Sequence, residues 1–187
     1  GGGMIATGST CLLEYCTFTN NTAAIYGGGL YLYQSSGSLQ NCTFVGNSAP
    51  NGGGIFSDES SAPILDCVFL ENESAGNGGG VYVQLSEIVI SHSIFSGNNS
   101  VWDGGGIFTN GCNPTIKHCT IDGNTSLNLG GGVGCFISSP YIVSSAITNN
   151  TGLGVHATNS SNPIVSFCDV NNNSTGNFGG DTTAPDL

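Results

Sequence analysis

Charged side chains are scarce in this sequence, and positive ones are almost absent. Only 7% of the 187 residues are charged, Lys117 is the single basic residue, there is no arginine, and the formal net charge at pH 7 is -11. Nucleic-acid binding needs several Lys or Arg side chains to neutralise phosphates, and anionic membranes attract the same residues. The composition therefore argues against nucleic acid and against an anionic membrane surface as partners.

Long apolar runs are also missing. No stretch approaches the roughly 18 consecutive apolar residues of a membrane span, and no charged and apolar signal peptide precedes the first repeat. The sequence opens inside a glycine motif without an initiator methionine. We therefore expect no membrane span in this segment, and we expect the chain to be a fragment of a longer extracellular or cell-surface protein.

Glycine is abundant, with 31 residues, and much of it recurs at a fixed period. A glycine pair or triplet followed by an aliphatic residue starts every 25 or 26 residues until the last copy, which follows after 22. Such a period is typical of repeat proteins in which each copy forms one structural unit. The copies begin at Gly1, Gly27, Gly52, Gly78, Gly104 and Gly130, with a degenerate copy at Gly152.

A second motif, an apolar residue followed three positions later by asparagine, runs in phase with the glycines. Its asparagines are Asn21, Asn47, Asn72, Asn98, Asn124, Asn150 and Asn173. We interpret them as an internal ladder in which each amide bonds the turn backbone and the amide of the next coil. Such bonds satisfy turn polar groups that would otherwise be buried without a partner.

The repeat length selects the fold. A period of about 26 residues is too short for a propeller blade of roughly 40, and its segments lack helical periodicity. Three short strands and three turns fit, each strand pairing with its counterpart one coil away. The sequence predicts an all-β, right-handed parallel β-helix of about seven coils and three parallel sheets over residues 1–177, with residues 178–187 as the end of the helix or a linker. Phe44, Phe69 and Phe95 should then lie in one interior column.

Four aromatic residues take the outward position of the strand that follows the glycines. They are Tyr31, Phe56, Tyr82 and Phe108. One interpretation is that neighbouring rings stack along the sheet and stabilise it. The other is an exposed platform that binds sugar rings or a partner protein. These residues are the candidate binding site of the sequence.

One turn column places Asp66, His92 and His118 in consecutive coils, where their side chains could converge on a divalent metal. Asn, Asp and His are also the residues enriched in left-handed turn conformations, which makes a turn the plainer interpretation. The other carboxylates, Asp103 among them, are expected to be solvated surface groups. The sequence predicts no cofactor and no catalytic residue.

Cysteine is concentrated in one inward column, whose two remaining places are Ser93 and Ser145. Buried free thiols, disulfides between neighbouring coils and a metal site are the three interpretations, because stacked positions lie within the Cα range of a disulfide but point the same way. The cysteines of this column are Cys16, Cys42, Cys67, Cys119 and Cys168.

The paired motifs Gly-Gly-x-aliphatic and Phe-x-x-Asn resemble the repeats of the polymorphic outer membrane proteins of chlamydiae. They are also similar to bacterial right-handed β-helix repeats of the pectate-lyase-like superfamily. The resemblance covers nearly the whole chain and implies the fold and an extracellular or cell-surface location. It leaves the function open, because this fold hosts adhesins, secreted passenger domains, phage tailspikes and polysaccharide-degrading enzymes.

The resemblance to these enzymes does not extend to catalytic residues. The lyases and hydrolases of the superfamily combine aspartates with basic residues, and this chain has no arginine and one lysine remote from any carboxylate cluster. We therefore expect a non-enzymatic surface scaffold or adhesin that binds glycans, surface proteins or further copies of itself. The alternatives are a self-assembling filament or surface-layer subunit, and an enzyme that acts on neutral glycans.

Overall fold

The computed structural model describes residues 1–180, which form 25 β-strands joined by turns and bends, without a helix. Every strand pairing is parallel, and each strand pairs with a strand one coil away. The strands are numbered β1 to β25 in chain order. Within this part of the chain no helix is long and apolar enough to cross a membrane.

The strands form three sheets that run along the length of the solenoid. The first sheet contains β1 (Met4–Thr7), β4 (Leu30–Tyr33), β7 (Ser48–Ala49), β8 (Ile55–Asp58), β11 (Glu73–Ser74), β12 (Val81–Gln84), β15 (Asn99–Ser100), β16 (Ile107–Asn110), β19 (Thr125–Phe136), β22 (Thr151–Thr158) and β25 (Gly176–Gly180). The second contains β2 (Thr10–Glu14), β5 (Ser36–Gln40), β9 (Ile64–Leu65), β13 (Val89–Ser91), β17 (Thr115–Lys117), β20 (Tyr141–Val143) and β23 (Ile164–Ser166). The third contains β3 (Thr17–Thr19), β6 (Thr43–Val45), β10 (Val68–Leu70), β14 (Ile94–Ser96), β18 (Thr120–Asp122), β21 (Ala146–Thr148) and β24 (Asp169–Asn171).

Because the coils stack in register, residues at the same position of successive repeats lie directly above one another. Phe69 of β10 pairs with Phe44 of β6 on one side and with Phe95 of β14 on the other. The phenyl rings of all three are fully buried and stack nearly parallel, with centroids 5.0 and 4.6 Å apart. The predicted interior column is confirmed, and so is the predicted solenoid of about seven coils. We call the column of Phe18, Phe44, Phe69, Phe95, Ile121, Ile147 and Val170 the inner file.

The glycine triplets are required by the tight approach of successive coils. A Cβ atom added at Gly79 would lie 2.5 Å from the carbonyl oxygen of Gly105, which belongs to the next triplet. One added at Gly80 would lie 3.0 Å from a ring carbon of Phe95 in the inner file. Side chains are therefore excluded at the triplets for two reasons. The backbone of the next coil lies directly against each triplet, and the inner file packs against it from the inside.

The asparagine ladder is present along the whole solenoid. Nδ2 of Asn72 donates to Oδ1 of Asn98 at 2.9 Å, and the backbone N–H of Asn72 donates to the same oxygen at 3.0 Å. Nδ2 of Asn72 also bonds the carbonyl oxygen of Phe44 at 2.9 Å. The same Nδ2 to Oδ1 bond joins each neighbouring pair from Asn21 to Asn173. The ladder pairs buried backbone groups at each turn.

The bend between the second and third sheets has the left-handed backbone conformation that the sequence predicted. All seven residues of this turn column have φ between 49° and 54°. They are Tyr15, Asn41, Asp66, His92, His118, Ser144 and Phe167. At the other end of the chain, Phe178 still pairs with Val155 in the first sheet, so strand pairing continues past residue 177 as far as Gly180. The remainder of the predicted end segment, residues 181–187, lies outside the described residues.

Candidate functional site

The outward residues of the first sheet form a second column, which we call the outer file. Strand register places Ile5, Tyr31, Phe56, Tyr82, Phe108, Gly134 and His156 one above another. Three of its aromatic side chains are buried, with Phe56 2%, Tyr82 7% and Phe108 5% exposed, while Tyr31 packs against them half-buried. The expectation of an exposed aromatic platform is therefore corrected, because these rings point outward but are covered.

The chain covers the outer file where it folds back just before each glycine triplet. A Cβ atom added at Gly78, whose φ is 67°, would lie 2.9 Å from the Cβ of Tyr82. Nearer the start of the chain, the ring of Tyr26 packs on Phe56 with centroids 4.5 Å apart. The turn therefore bends over the outward aromatic residue, and strand alternation alone does not reveal this cover.

The rings of the outer file are packed less regularly than those of the inner file. Tyr82 is tilted by 50° to Phe56 and by 83° to Phe108, with centroid distances of 4.6 and 4.9 Å. The hydroxyl of Tyr82 accepts a hydrogen bond from Nδ2 of Asn110 at 3.0 Å. Burial raises the pKa of the Tyr82 phenol above its ordinary value of 10.0. This hydroxyl therefore stays protonated at neutral pH and remains a hydrogen-bonding group of the covered face.

The outer file changes character after Phe108, where the next two places are taken by Gly134 and His156. A Cβ atom at Gly134 would lie 2.4 Å from Oδ1 of Asp103, so the glycine leaves room for that carboxylate. Nδ1 of His156 lies 2.8 Å from Oδ2 of Asp103, and both side chains are 5% exposed. A buried Asp103–His156 pair therefore stands where the aromatic column would continue.

The carboxylate of Asp103 is also held by backbone donors. The N–H groups of Gly104 and Gly130 each donate to Oδ1 at 2.8 Å. Its own backbone carbonyl accepts a bond from Gly78 at 3.0 Å. The expectation that Asp103 is a solvated surface group is therefore wrong. A buried carboxylate is tolerated here because these donors and the imidazole of His156 replace its water.

A cleft of about 350 Å³ opens beside this pair, and we call it the Trp102 cleft. Its apolar lining consists of Tyr82, Trp102, Phe108, Leu129 and Phe136. Its polar lining consists of Asn77, Asp103, Asn110 and Thr158. Apolar walls with a few placed polar groups are typical of small-molecule sites. The Trp102 cleft therefore has the composition of a binding site.

Trp102 is the most accessible aromatic residue of the cleft, with 58% of its surface exposed. Its backbone is nevertheless fixed, since its N–H donates to the carbonyl of Gly76 at 3.0 Å and its carbonyl accepts from Oγ of Ser126 at 2.8 Å. Sequence reasoning did not select Trp102 or His156. The repeat register could have identified His156, because it places His156 at the position that Phe108 occupies two coils earlier.

The predicted metal candidates remain turn residues on the surface. Asp66, His92 and His118 are exposed, and the two imidazole rings stack with centroids 4.9 Å apart. Among residues 1–180 no group of three or more His, Cys, Asp or Glu side chains is arranged to hold a metal ion. Stacked rings present their faces to each other, which does not direct two nitrogen lone pairs at one ion.

All eight cysteines are free thiols in the structure. In the inward column, Sγ of Cys67 donates to the carbonyl of Leu65 at 3.1 Å, and Oγ of Ser93 makes the equivalent bond to Ser91 at 2.9 Å. Cysteine and serine therefore make the same local bond in this column. Burial raises the pKa of the Cys67 thiol from 9.0 to about 12, so this group is protonated and unreactive at neutral pH.

Comparison with known families agrees with this architecture. Residues 28–183 match the model of the right-handed β-helix region, and residues 15–33 match the repeat of the chlamydial polymorphic membrane proteins. No curated protein matches the chain significantly. The second match indicates a surface-associated repeat protein of the outer membrane or the cell exterior. Because the first match spans most of the chain, this protein belongs to the right-handed β-helix family.

Proposed function

We propose that this protein is a non-enzymatic adhesin scaffold of the cell surface and that it binds a glycan in the Trp102 cleft. The observation that carries the proposal is the lining of that cleft of about 350 Å³, which includes four aromatic residues. The solenoid supplies a rigid support, because successive coils are joined by three sheets and by the asparagine ladder.

The chemistry of the cleft suits a sugar ring. The C–H face of a pyranose packs on aromatic rings, and its hydroxyls need nearby hydrogen-bonding groups. Trp102 provides the exposed aromatic surface and Phe136 a half-buried one, above the buried rings of Tyr82 and Phe108. The amides of Asn77 and Asn110 lie in the same lining. A site of this size accommodates one or two sugar units, which fits the recognition of a glycan segment.

The absence of catalysis is part of the proposal. Hydrolysis of a glycosidic bond usually needs two carboxyl groups placed about 5–10 Å apart on either side of the bond. Of the described residues that line the cleft, only Asp103 carries a carboxylate. A single carboxyl group cannot supply both members of the pair that this mechanism uses. Binding without turnover is the activity that this arrangement supports.

A glycan array tests the proposal with three proteins. Wild type should bind a defined set of glycans, and Trp102→Ala should bind them at least about tenfold more weakly, since buried or partly buried tryptophans dominate many binding sites. Phe167→Ala is the matched control, because Phe167 is 89% exposed on the turn between the second and third sheets, away from the cleft lining. It should bind as wild type does.

Two results would contradict the proposal. One is an array without any bound glycan, and the other is equal binding by wild type and Trp102→Ala. Release of reducing sugar from a polysaccharide panel would overturn the non-enzymatic part alone. The surface location is tested separately by treating intact source cells with protease, which should digest this segment without lysis.

A further inference from the structure

The electrostatic surroundings of the Trp102 cleft narrow the class of sugar it accepts. The chain carries a formal charge of -11 and a single basic residue. That residue, Lys117, lies on β17 in the second sheet, whereas the cleft is built on the first sheet and its preceding turns. Uronic and sialic acids would therefore meet a negative potential without a basic partner. A neutral or cationic ligand is favoured.

The aromatic lining favours a cation over a neutral group. The faces of Trp, Tyr and Phe rings carry negative partial charge and attract ammonium groups that lie within about 6 Å. Trp102, Tyr82, Phe108 and Phe136 all contribute to the cleft. An ammonium group bound against the exposed ring of Trp102 would keep its charge while it loses part of its hydration.

The carboxylate of Asp103 completes a cation site. An ionised carboxylate has about four acceptor positions, and the N–H groups of Gly104 and Gly130 and Nδ1 of His156 occupy three of them. This count leaves one acceptor position on Asp103, which is a residue of the cleft lining. The same three bonds hold the carboxylate in place before a ligand arrives, so that little ordering is needed on binding.

We propose that the ligand of the Trp102 cleft is an amino sugar whose ammonium group lies between the aromatic rings and the carboxylate of Asp103. This inference rests on the proposed glycan binding and names its substrate class. The sugar ring packs on Trp102, and the amine donates a hydrogen bond to the open acceptor position of Asp103. Acetylation of the amine removes the charge, and a carboxyl group on the sugar reverses it, so both changes weaken binding.

Isothermal titration of three trisaccharides against wild type tests this selectivity. The probes are a β-1,4-linked glucosamine trimer, the corresponding N-acetylglucosamine trimer and a galacturonic acid trimer. The glucosamine trimer should bind about threefold to tenfold more tightly than its acetylated counterpart. The galacturonic acid trimer should bind most weakly. Raising the ionic strength from about 0.01 M to about 1 M should weaken only the binding of the amine.

Three variants test which residues cause the preference for the amine. Asp103→Asn should bring the affinities for the amine and the acetylated trimer together, and Trp102→Ala should weaken both. Glu14→Gln is the matched control, because Glu14 is an exposed carboxylate on β2 in the second sheet. If Asp103→Asn fails to fold, the affinities of wild type for the three trimers and their salt dependence still test the preference for the amine.

The outcomes separate this inference from the proposed function. Equal or tighter binding of the acetylated trimer would overturn the amino-sugar selectivity and leave glycan binding intact. Absence of binding by all sugars would overturn both. Salt-dependent binding of the amine that persists in Trp102→Ala would show attraction to the acidic surface at large and would also overturn the inference.

Discussion

The inner and outer files are two columns of side chains on the same repeat, and they differ in regularity. In the inner file, the rings of Phe18, Phe44, Phe69 and Phe95 stack within 5° of parallel at 4.6 to 5.0 Å. In the outer file, neighbouring rings meet at 50° to 83°. The outer file then gives way to a glycine and to a buried Asp–His pair.

This difference follows from what surrounds each file. The inner file is enclosed by three sheets that stack in register and are joined by the ladder, so that a large apolar side chain, Phe, Ile or Val, fits in every coil. The outer file is covered by turns whose residues differ from coil to coil, for example Tyr26, Asn77 and Asp103. We therefore assign stability to the repeated interior, and the proposed binding site lies where the repeat is broken on the outside.

The largest effect is expected from the inner file. Phe69→Ala should lower the free energy of unfolding by about 3–5 kcal/mol, because it opens a cavity between two stacked rings. Urea unfolding followed by circular dichroism measures this change. Phe167→Ala, which truncates a ring that is 89% exposed, should change stability by less than about 0.5 kcal/mol. Similar losses in both variants would contradict the assignment of stability to the inner file.

A smaller loss of stability is expected at Gly134, where the aromatic residues of the outer file end. Gly134→Ala should cost about 1–3 kcal/mol, because the added methyl group displaces the carboxylate of Asp103 from His156. The double variant with Asp103→Ala is the control, since the methyl group then meets no carboxylate. A double-mutant cycle on unfolding free energies should show coupling between the two positions. Additive losses would mean that Gly134 is not kept small by Asp103.

Alkaline pH should destabilise the protein through its interior thiols. Burial raises the pKa of Cys67 and of Cys135 to about 12, against 9.0 for an ordinary thiol. The unfolded chain therefore loses these protons first as pH rises, which lowers the free energy of unfolding by about 1 kcal/mol per thiol between pH 9 and 10. Cys67→Ser, a change to the residue found at position 93, should remove one such contribution. An unchanged pH dependence in this variant would contradict the prediction.

The smallest effect on stability is expected at the Trp102 cleft. Trp102→Ala should change the free energy of unfolding by less than about 0.5 kcal/mol, because 58% of the residue is exposed and its fixed contacts are made by the backbone. Urea unfolding under the conditions used for Phe69→Ala provides the comparison. A loss of several kcal/mol would place Trp102 in the structural framework and remove the separation between binding and stability.

The sequence was sufficient for the fold because every coil repeats the same pairing with the next coil along the chain. The offset between Phe44 and Phe69 equals that between their glycine triplets, and parallel pairing converts this offset into contact. The ladder of asparagines follows from the same rule, as does the left-handed turn that contains Asp66. Each of these features recurs in every coil, which makes chance agreement negligible.

The cleft could not be predicted in the same way, because it depends on departures from the repeat. Asp103 and His156 are 53 residues apart, and they meet only because Gly134 omits a side chain between them. Alternation along a strand gave the outward direction of Tyr82 correctly, but it carried no information about the turn that covers this ring. The path of that turn depends on residues that differ between coils.

The central claim is that the broken outer file forms the ligand site, and Trp102 reports on it directly because it is the single tryptophan of the chain. Its fluorescence should change saturably as the glucosamine trimer is added to wild type. Phe167→Ala should give the same titration curve. A trimer that binds by calorimetry without changing this fluorescence would place the site elsewhere and contradict the account.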